Sequence, residues 1–214
     1  MDLRETIKAA GDGLSAYAAP QNYELPGLIR ASLFGYPNGK TIDIIFPNGA
    51  DPDFYCAKIT DDVYFISELD GDKLSVYALN DAAKTFSLIT EQMPDGEHFQ
   101  TGAGNGTYGG IKSEPSDPFS EDLDGNAVEW HLGPDTVYKV MYGNGGIWGD
   151  IEATINHTFK AAEGVYLSCA WIDGTFINML MDFNKVLFVG SVWKPGEAQR
   201  IIGGYGKIID WRGK

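Results

Sequence analysis

Three side chains in the second half of the chain are spaced to do acid–base chemistry inside an enclosed pocket. In the run 136–142, Tyr138, Val140 and Tyr142 fall on one side of an extended segment, while Val137, Lys139 and Met141 fall on the other. Lys139 marks its side as the outer one, so Tyr138 and Tyr142 are read as pointing inward. Along 150–158, Ile151, Ala153, Ile155 and His157 alternate with Asp150, Glu152, Thr154 and Asn156, which places His157 on the apolar side. On 164–171, Val165, Leu167, Cys169 and Trp171 share a face, and Asp173 continues it past the strand end. An apolar cavity disfavours charge and moves a tyrosine, histidine or carboxyl pKa toward the operating pH. Tyr142 would then donate to developing oxyanion character, while His157 or Asp173 takes and returns a proton. Tyr138, Trp148 and Trp171 would form walls that align a substrate. Each residue also has a plainer reading: a packed tyrosine with a satisfied hydroxyl, a hydrogen-bonded core histidine, wall tryptophans, and an Asp-Gly hairpin turn.

Other motifs carry less. Gly104, Gly106 and Gly109 have the GxGxxG spacing, but the chain runs on into Ser113-Glu114-Pro115-Ser116-Asp117-Pro118, with no helix N-terminus to receive a pyrophosphate. The acidic stretch 120–125 lacks the ligand spacing and terminal glutamate of an EF-hand loop and reads as a solvated turn. HExxH, paired-cysteine and GxSxG patterns are missing, and only 3 histidines are present, so neither a metal nor a cofactor is expected. Cys56 and Cys169 each sit in an apolar run and are read as free buried thiols.

Charge narrows the partners. With 30 acidic and 16 basic side chains the net charge is -14, the wrong sign for nucleic acid or an anionic membrane surface. No stretch approaches the roughly 18 uninterrupted apolar residues of a membrane span. The first residues, Met1-Asp2-Leu3-Arg4-Glu5, lack the apolar core of a signal peptide, which points to a cytoplasmic protein. On that reading the sequons at Asn105 and Asn156 have no meaning. The expected partner is a small apolar or aromatic organic molecule; a homodimer is left open.

The elements that must position these residues are short strands. A helix is expected over 2–11, with Leu3, Ile7 and Ala10 on one face and Gly11 and Gly13 as its stop. Beyond Pro26, candidate strands fall at 41–46, 54–59, 63–69, 74–79 and 85–90. A second series falls at 136–142, 150–158, 164–171, 175–183 and 186–193, with a last strand near 205–211. Residues 91–126, rich in Gly, Asp, Ser and Pro, read as a connecting loop. The two series resemble each other: Thr41 to Phe46 with Asn48-Gly49 matches Thr136 to Tyr142 with Asn144-Gly145. Likewise Asp62-Val63-Tyr64-Phe65 with Asp70-Gly71 matches Gly164-Val165-Tyr166-Leu167 with Asp173-Gly174, and Tyr108-Gly109-Gly110-Ile111 matches Tyr205-Gly206-Lys207-Ile208. Their common order indicates a tandem duplication, one repeat over about 27–111 and the other over about 127–214. Each half alone would leave two open sheet edges. The expectation is therefore one all-β domain over 1–214, a closed antiparallel lipocalin-like (calycin) barrel of about 8–10 strands, with its site in the cavity.

The second half also resembles a known family. The run Tyr142-Gly143-Asn144-Gly145, then Gly164-Val165-Tyr166-Leu167-Ser168, Trp171-Ile172-Asp173 and the closing Val189-Gly190, resembles the lipocalin-like barrel of phenolic acid decarboxylases. The duplicated layout, with Asp61-Asp62-Val63-Tyr64-Phe65 in the first half, resembles the molybdenum cofactor biosynthesis protein F (MoaF) family. The likeness spans roughly 38–90 and 136–193. Phenolic acid decarboxylases work without a cofactor, holding substrate with two tyrosines of one strand, an arginine and a glutamate. By resemblance, Tyr142 takes the place of the second tyrosine and Asp173 that of the glutamate. Val140 stands at the first tyrosine position, and no arginine lies between Asp150 and Tyr166, so a carboxylate substrate loses its clamp. The combined expectation is a cofactor-free lyase or isomerase acting on a small, largely apolar molecule. The alternative is a lipocalin-like carrier that binds such a molecule unchanged.

Overall fold

The computed structural model describes residues 28–35, 41–47, 53–83, 85–93, 98–107, 121–133 and 136–210. The helix expected over 2–11 lies outside the described residues. Seven strands form an open antiparallel meander: β1 (Leu28–Gly35), β2 (Thr41–Pro47), β3 (Phe54–Lys58), β4 (Val63–Asp70), β5 (Lys73–Asn80), β6 (Thr85–Gln92) and β7 (Gln100–Thr107). After a 3₁₀ turn, Glu121–Leu123, come β8 (Ala127–Gly133), β9 (Thr136–Gly143), β10 (Gly146–Gly149), β11 (Ala153–Ala162), β12 (Val165–Ile172), β13 (Thr175–Asp182), β14 (Leu187–Trp193) and β15 (Arg200–Ile208). These eight close into an antiparallel barrel. The fold is thus all-β with a closed barrel, as the spacing of short strands implies. No helix among the described residues is long and apolar enough to cross a membrane.

Turn chemistry fixes the hairpins. Asn144-Gly145 joins β9 to β10 and Asp173-Gly174 joins β12 to β13, and all four residues have positive φ (51°, 74°, 47° and 78°). Two consecutive positive φ values define the turn whose twist matches that of the flanking strands, which is why Asn-Gly and Asp-Gly occupy it.

Ring closure falls between β15 and β8, where Tyr205 pairs with His131 and Ile208 with Val128. All eight ring strands come from 127–208, whereas the sequence reading drew the ring from both halves. The difference lies in β8 and β10, segments for which the sequence reading names no strand, and β8 supplies the closing edge. The halves still share a plan: the strand ends Val63, Asp70, Lys73 and Asn80 recur at Val165, Ile172, Thr175 and Asp182. The two turns differ in detail, because Asp70 pairs with Lys73 and the first-half corner is Gly71-Asp72.

Strand alternation divides the barrel residues between two cores. Val128, Trp130, Val140, Tyr142, Ile155, Tyr166, Met181 and Phe188 pack together inside the ring, with Leu123 of the 3₁₀ turn against them. Residues of opposite parity, Val165, Leu167, Cys169, Phe176, Leu180, Val189 and Trp193, face outward. There they pack with Phe65, Leu74, Val76, Ala78 and Ile89 of the open sheet. β12 is therefore covered on both faces and buried from Val165 to Ala170, a continuous run rather than an alternating one. The other face of the open sheet carries its own buried cluster, Cys56, Tyr64, Ile66, Tyr77, Leu79, Phe86 and Leu88.

Candidate functional site: a cleft on the barrel rim

Six side chains were singled out from the sequence, and the fold distributes them over three places. Tyr138 and Tyr142 point into the ring, as the outward Lys139, bridged to Glu129 at 3.6 Å, implies. Tyr142 is fully buried. Its hydroxyl accepts from Trp130 Nε1 at 3.0 Å and donates to Met181 Sδ at 3.1 Å. Burial raises its phenol pKa well above the ordinary value, against the smaller lowering effect of the Trp130 bond. A hydroxyl so engaged is a packing element of the interior. Tyr142→Phe leaves the Trp130 N–H buried without its acceptor and should cost about 1–3 kcal/mol. A urea melt of the variant checks this.

His157 lies elsewhere. The β11–β12 register slips between Ile155, opposite Ala170, and His157, opposite Cys169. Asn156 is the extra residue of a bulge, and a bulge reverses side-chain parity beyond it. Ile155 consequently stays inside the ring, while His157 turns outward to the open sheet and meets Thr101 Oγ1 at 2.9 Å through Nε2. Burial lowers its pKa.

In the same layer lies a polar cluster that sequence reading did not identify. Glu91, on β6 opposite Thr101, is fully buried; the Cys169 thiol donates to its Oε1 (2.6 Å) and Asn178 Nδ2 to its Oε2 (2.9 Å). Desolvation pushes the Glu91 carboxyl up to about 7, opposed by these two bonds. Nearby, Ser67 Oγ donates to Gln199 Oε1 (2.6 Å) and lies 3.1 Å from Ser191 Oγ. These contacts tie β4 to β14 and β6 to β12. Both cysteines are free and buried, and burial lifts the Cys56 thiol to about 12.

Trp148, Trp171 and Asp173 do come together, on the outer wall at the rim. They line an open cleft of about 520 Å³ with Asn144, Gly145, Gly146, Glu152, Ala153, Thr154 and Ile172. Ladder register explains its shape. Thr154 pairs with Gly146 on one side and Trp171 on the other. The Trp148 indole lies over Gly146, where a Cβ would sit 3.4 Å from Nε1. Two indoles thus flank Thr154 from adjacent strands, a gap of two strand spacings or roughly 10 Å. Trp148 is fixed by its N–H donating to Gly143 O at 2.8 Å, yet the residue is 43% exposed. Trp171 is braced by Phe99 (centroids 4.8 Å apart, stacked) and by Phe176 (4.4 Å, edge-on). Asp173 lines the cleft from its turn, and Glu152 lines it from the residue just before β11. Among the described residues no group of three or more His, Cys, Asp or Glu could hold a metal ion.

Geometry therefore separates Tyr142, inside the ring, from His157, between the layers, and from Asp173, at the rim. It gathers the predicted walls Trp148 and Trp171 with Asp173 instead. Asn144, Glu152 and Thr154 join them, and of these Asn144 was legible as a turn residue. Compared with protein-family models and with curated proteins, the sequence matches none.

Proposed function

We propose that the protein binds a small organic molecule in the rim cleft between Trp148 and Trp171. The observation that carries this reading is the pair of indoles held apart across Thr154, one braced by aromatic packing and the other largely open to solvent. An exposed, hydrogen-bonded tryptophan sharing a cleft with a second indole presents a rigid apolar surface at low entropic cost. Polar groups at its edges, Asn144, Glu152 and Asp173, supply orientation, the usual division of labour in a ligand site. The barrel behind it is the scaffold, and the separation of Tyr142, His157 and Asp173 over three places supports a binding role over joint chemistry by the three. A panel of neutral, anionic and cationic small molecules, screened by two-dimensional NMR, tests the reading. Binders should shift the indole resonances of Trp148 and Trp171. Trp148→Ala, which removes an exposed side chain, should weaken them about tenfold or more without lowering the melting temperature. Binders unaffected by Trp148→Ala overturn it.

A further inference from the structure

Resting on the rim cleft as the binding site, we infer that its ligand class is organic cations, of the alkylated ammonium kind. Two carboxylates, Glu152 and Asp173, border the cleft, and no Lys, Arg or His is among the residues lining it. An anion would meet two like charges and no counter-charge. Two donors at the cleft are already used within the protein: Trp148 Nε1 on Gly143 O, and the Asn144 backbone N–H on Asp124 Oδ1 at 3.1 Å. Beside the neutral Asn144 amide and Thr154 hydroxyl, the cleft offers carboxylate oxygen and indole surface.

An indole carries negative quadrupole potential over its ring, and two indoles lining one cleft are an arrangement that attracts a methylated ammonium. Such a group is too bulky and too weakly solvated to prefer a compact carboxylate pair alone, so ring faces and carboxylates act together. The whole chain adds to this, since a net charge of -14 raises the local concentration of cations near its surface.

The test compares choline with 3,3-dimethyl-1-butanol, which has the same shape and no charge. Both are titrated into the full chain while the Trp148 and Trp171 indole resonances are followed. Choline is expected to bind about tenfold tighter or more. Asp173→Asn and Glu152→Gln should each remove several-fold of that preference while leaving the alcohol unchanged, and added salt should weaken choline alone. Equal binding of the two probes overturns the cationic class and leaves the cleft reading standing. Shifts at neither tryptophan with either probe, or with any member of the wider panel, overturn both.

Discussion

Replacing Glu91 by Gln is expected to flatten the pH dependence of stability and to leave the variant more stable than the parent above about pH 7. Glu91 is fully buried between the open sheet and the barrel, and burial raises its folded-state pKa from 4.5 to about 7. The raised value means that the native state holds a proton which the unfolded chain releases. This stabilisation is complete below about pH 4.5 and is lost progressively as pH rises through about 7. The loss amounts to about 3 kcal/mol across that window, since a tenfold difference in proton affinity between folded and unfolded chains is worth about 1.4 kcal/mol. Above the window the carboxylate is buried as an ion, held only by the Cys169 thiol and the Asn178 amide. Glutamine keeps the shape and removes the charge. Asn178 Oδ1, buried without a partner, becomes an acceptor for the new amide once the Asn178 amide turns over. Denaturant melts of parent and variant at several pH values measure the difference directly, because every other titrating group is shared. Parallel pH profiles would show that Glu91 is not held in this environment.

The second large effect concerns closure of the ring. A Cβ at Gly204 would collide with the backbone oxygen of His131 and lie 2.7 Å from the Phe188 ring. That oxygen belongs to β8, on the seam where β15 completes the barrel, and a main-chain atom cannot move aside as a flexible side chain does. Gly204→Ala must therefore push β15 from β8 and expose the edge of each. We expect a loss of about 3 kcal/mol or more, together with faster hydrogen exchange along 128–131 and 205–208. Gly190→Ala should behave alike between β13 and β14, where the added carbon would collide with the Asn178 backbone oxygen. A strand glycine that admits another backbone is a recurrent device at barrel bends. An alanine variant of Gly204 with full stability and unchanged exchange would contradict the closed seam.

Much of this architecture is legible in the residues. Runs such as Val63–Asp70 and Val165–Ile172, bounded by turn residues, announce short strands, and Asn144-Gly145 and Asp173-Gly174 announce tight hairpins. Their spacing and internal likeness lead to a closed all-β barrel. Lys139 on the outer face correctly orients Tyr138 and Tyr142. Three features escape such reading for physical reasons. β7 is Gln100-Thr101-Gly102-Ala103-Gly104-Asn105-Gly106-Thr107, a composition that favours loops. It is a strand because β6 pairs with it along its whole length, overriding intrinsic preference. The bulge at Asn156 is invisible to a two-residue periodicity, and it sends His157 to the opposite face from Ile155. Glu91 stands at the start of what reads as a polar connection. Its burial is a tertiary fact, created when β12 and β13 bring Cys169 and Asn178 against it.

The candidate site shows the same division. Trp148, Trp171 and Asp173 are apparent as aromatic and acidic residues near turns, and they meet at one cleft. Sequence alternation put the face of Trp171 and Asp173 inside the barrel. The parity of β12 is instead set by Tyr166, which points inward, so Trp171 lies on the outer wall. In a strand covered on both faces, alternation of apolar residues cannot tell inside from outside. The likeness between the two halves has the same limit. It preserves hairpin lengths but does not record which half closes on itself.

The proposed ligand site is on the barrel rim and not within the ring, and four of the five tryptophans make that choice directly measurable. Trp148 and Trp171 line the cleft, Trp130 lies in the ring interior, and Trp193 is buried between the layers. Titrating choline, and then the best binder of the wider panel, while recording the indole N–H correlations gives each location its own signal. Binding at the rim predicts saturable shifts at Trp148 and Trp171, with Trp130 and Trp193 unmoved. Saturable shifts centred on Trp130, with Trp148 unmoved, would place the ligand inside the barrel and contradict it.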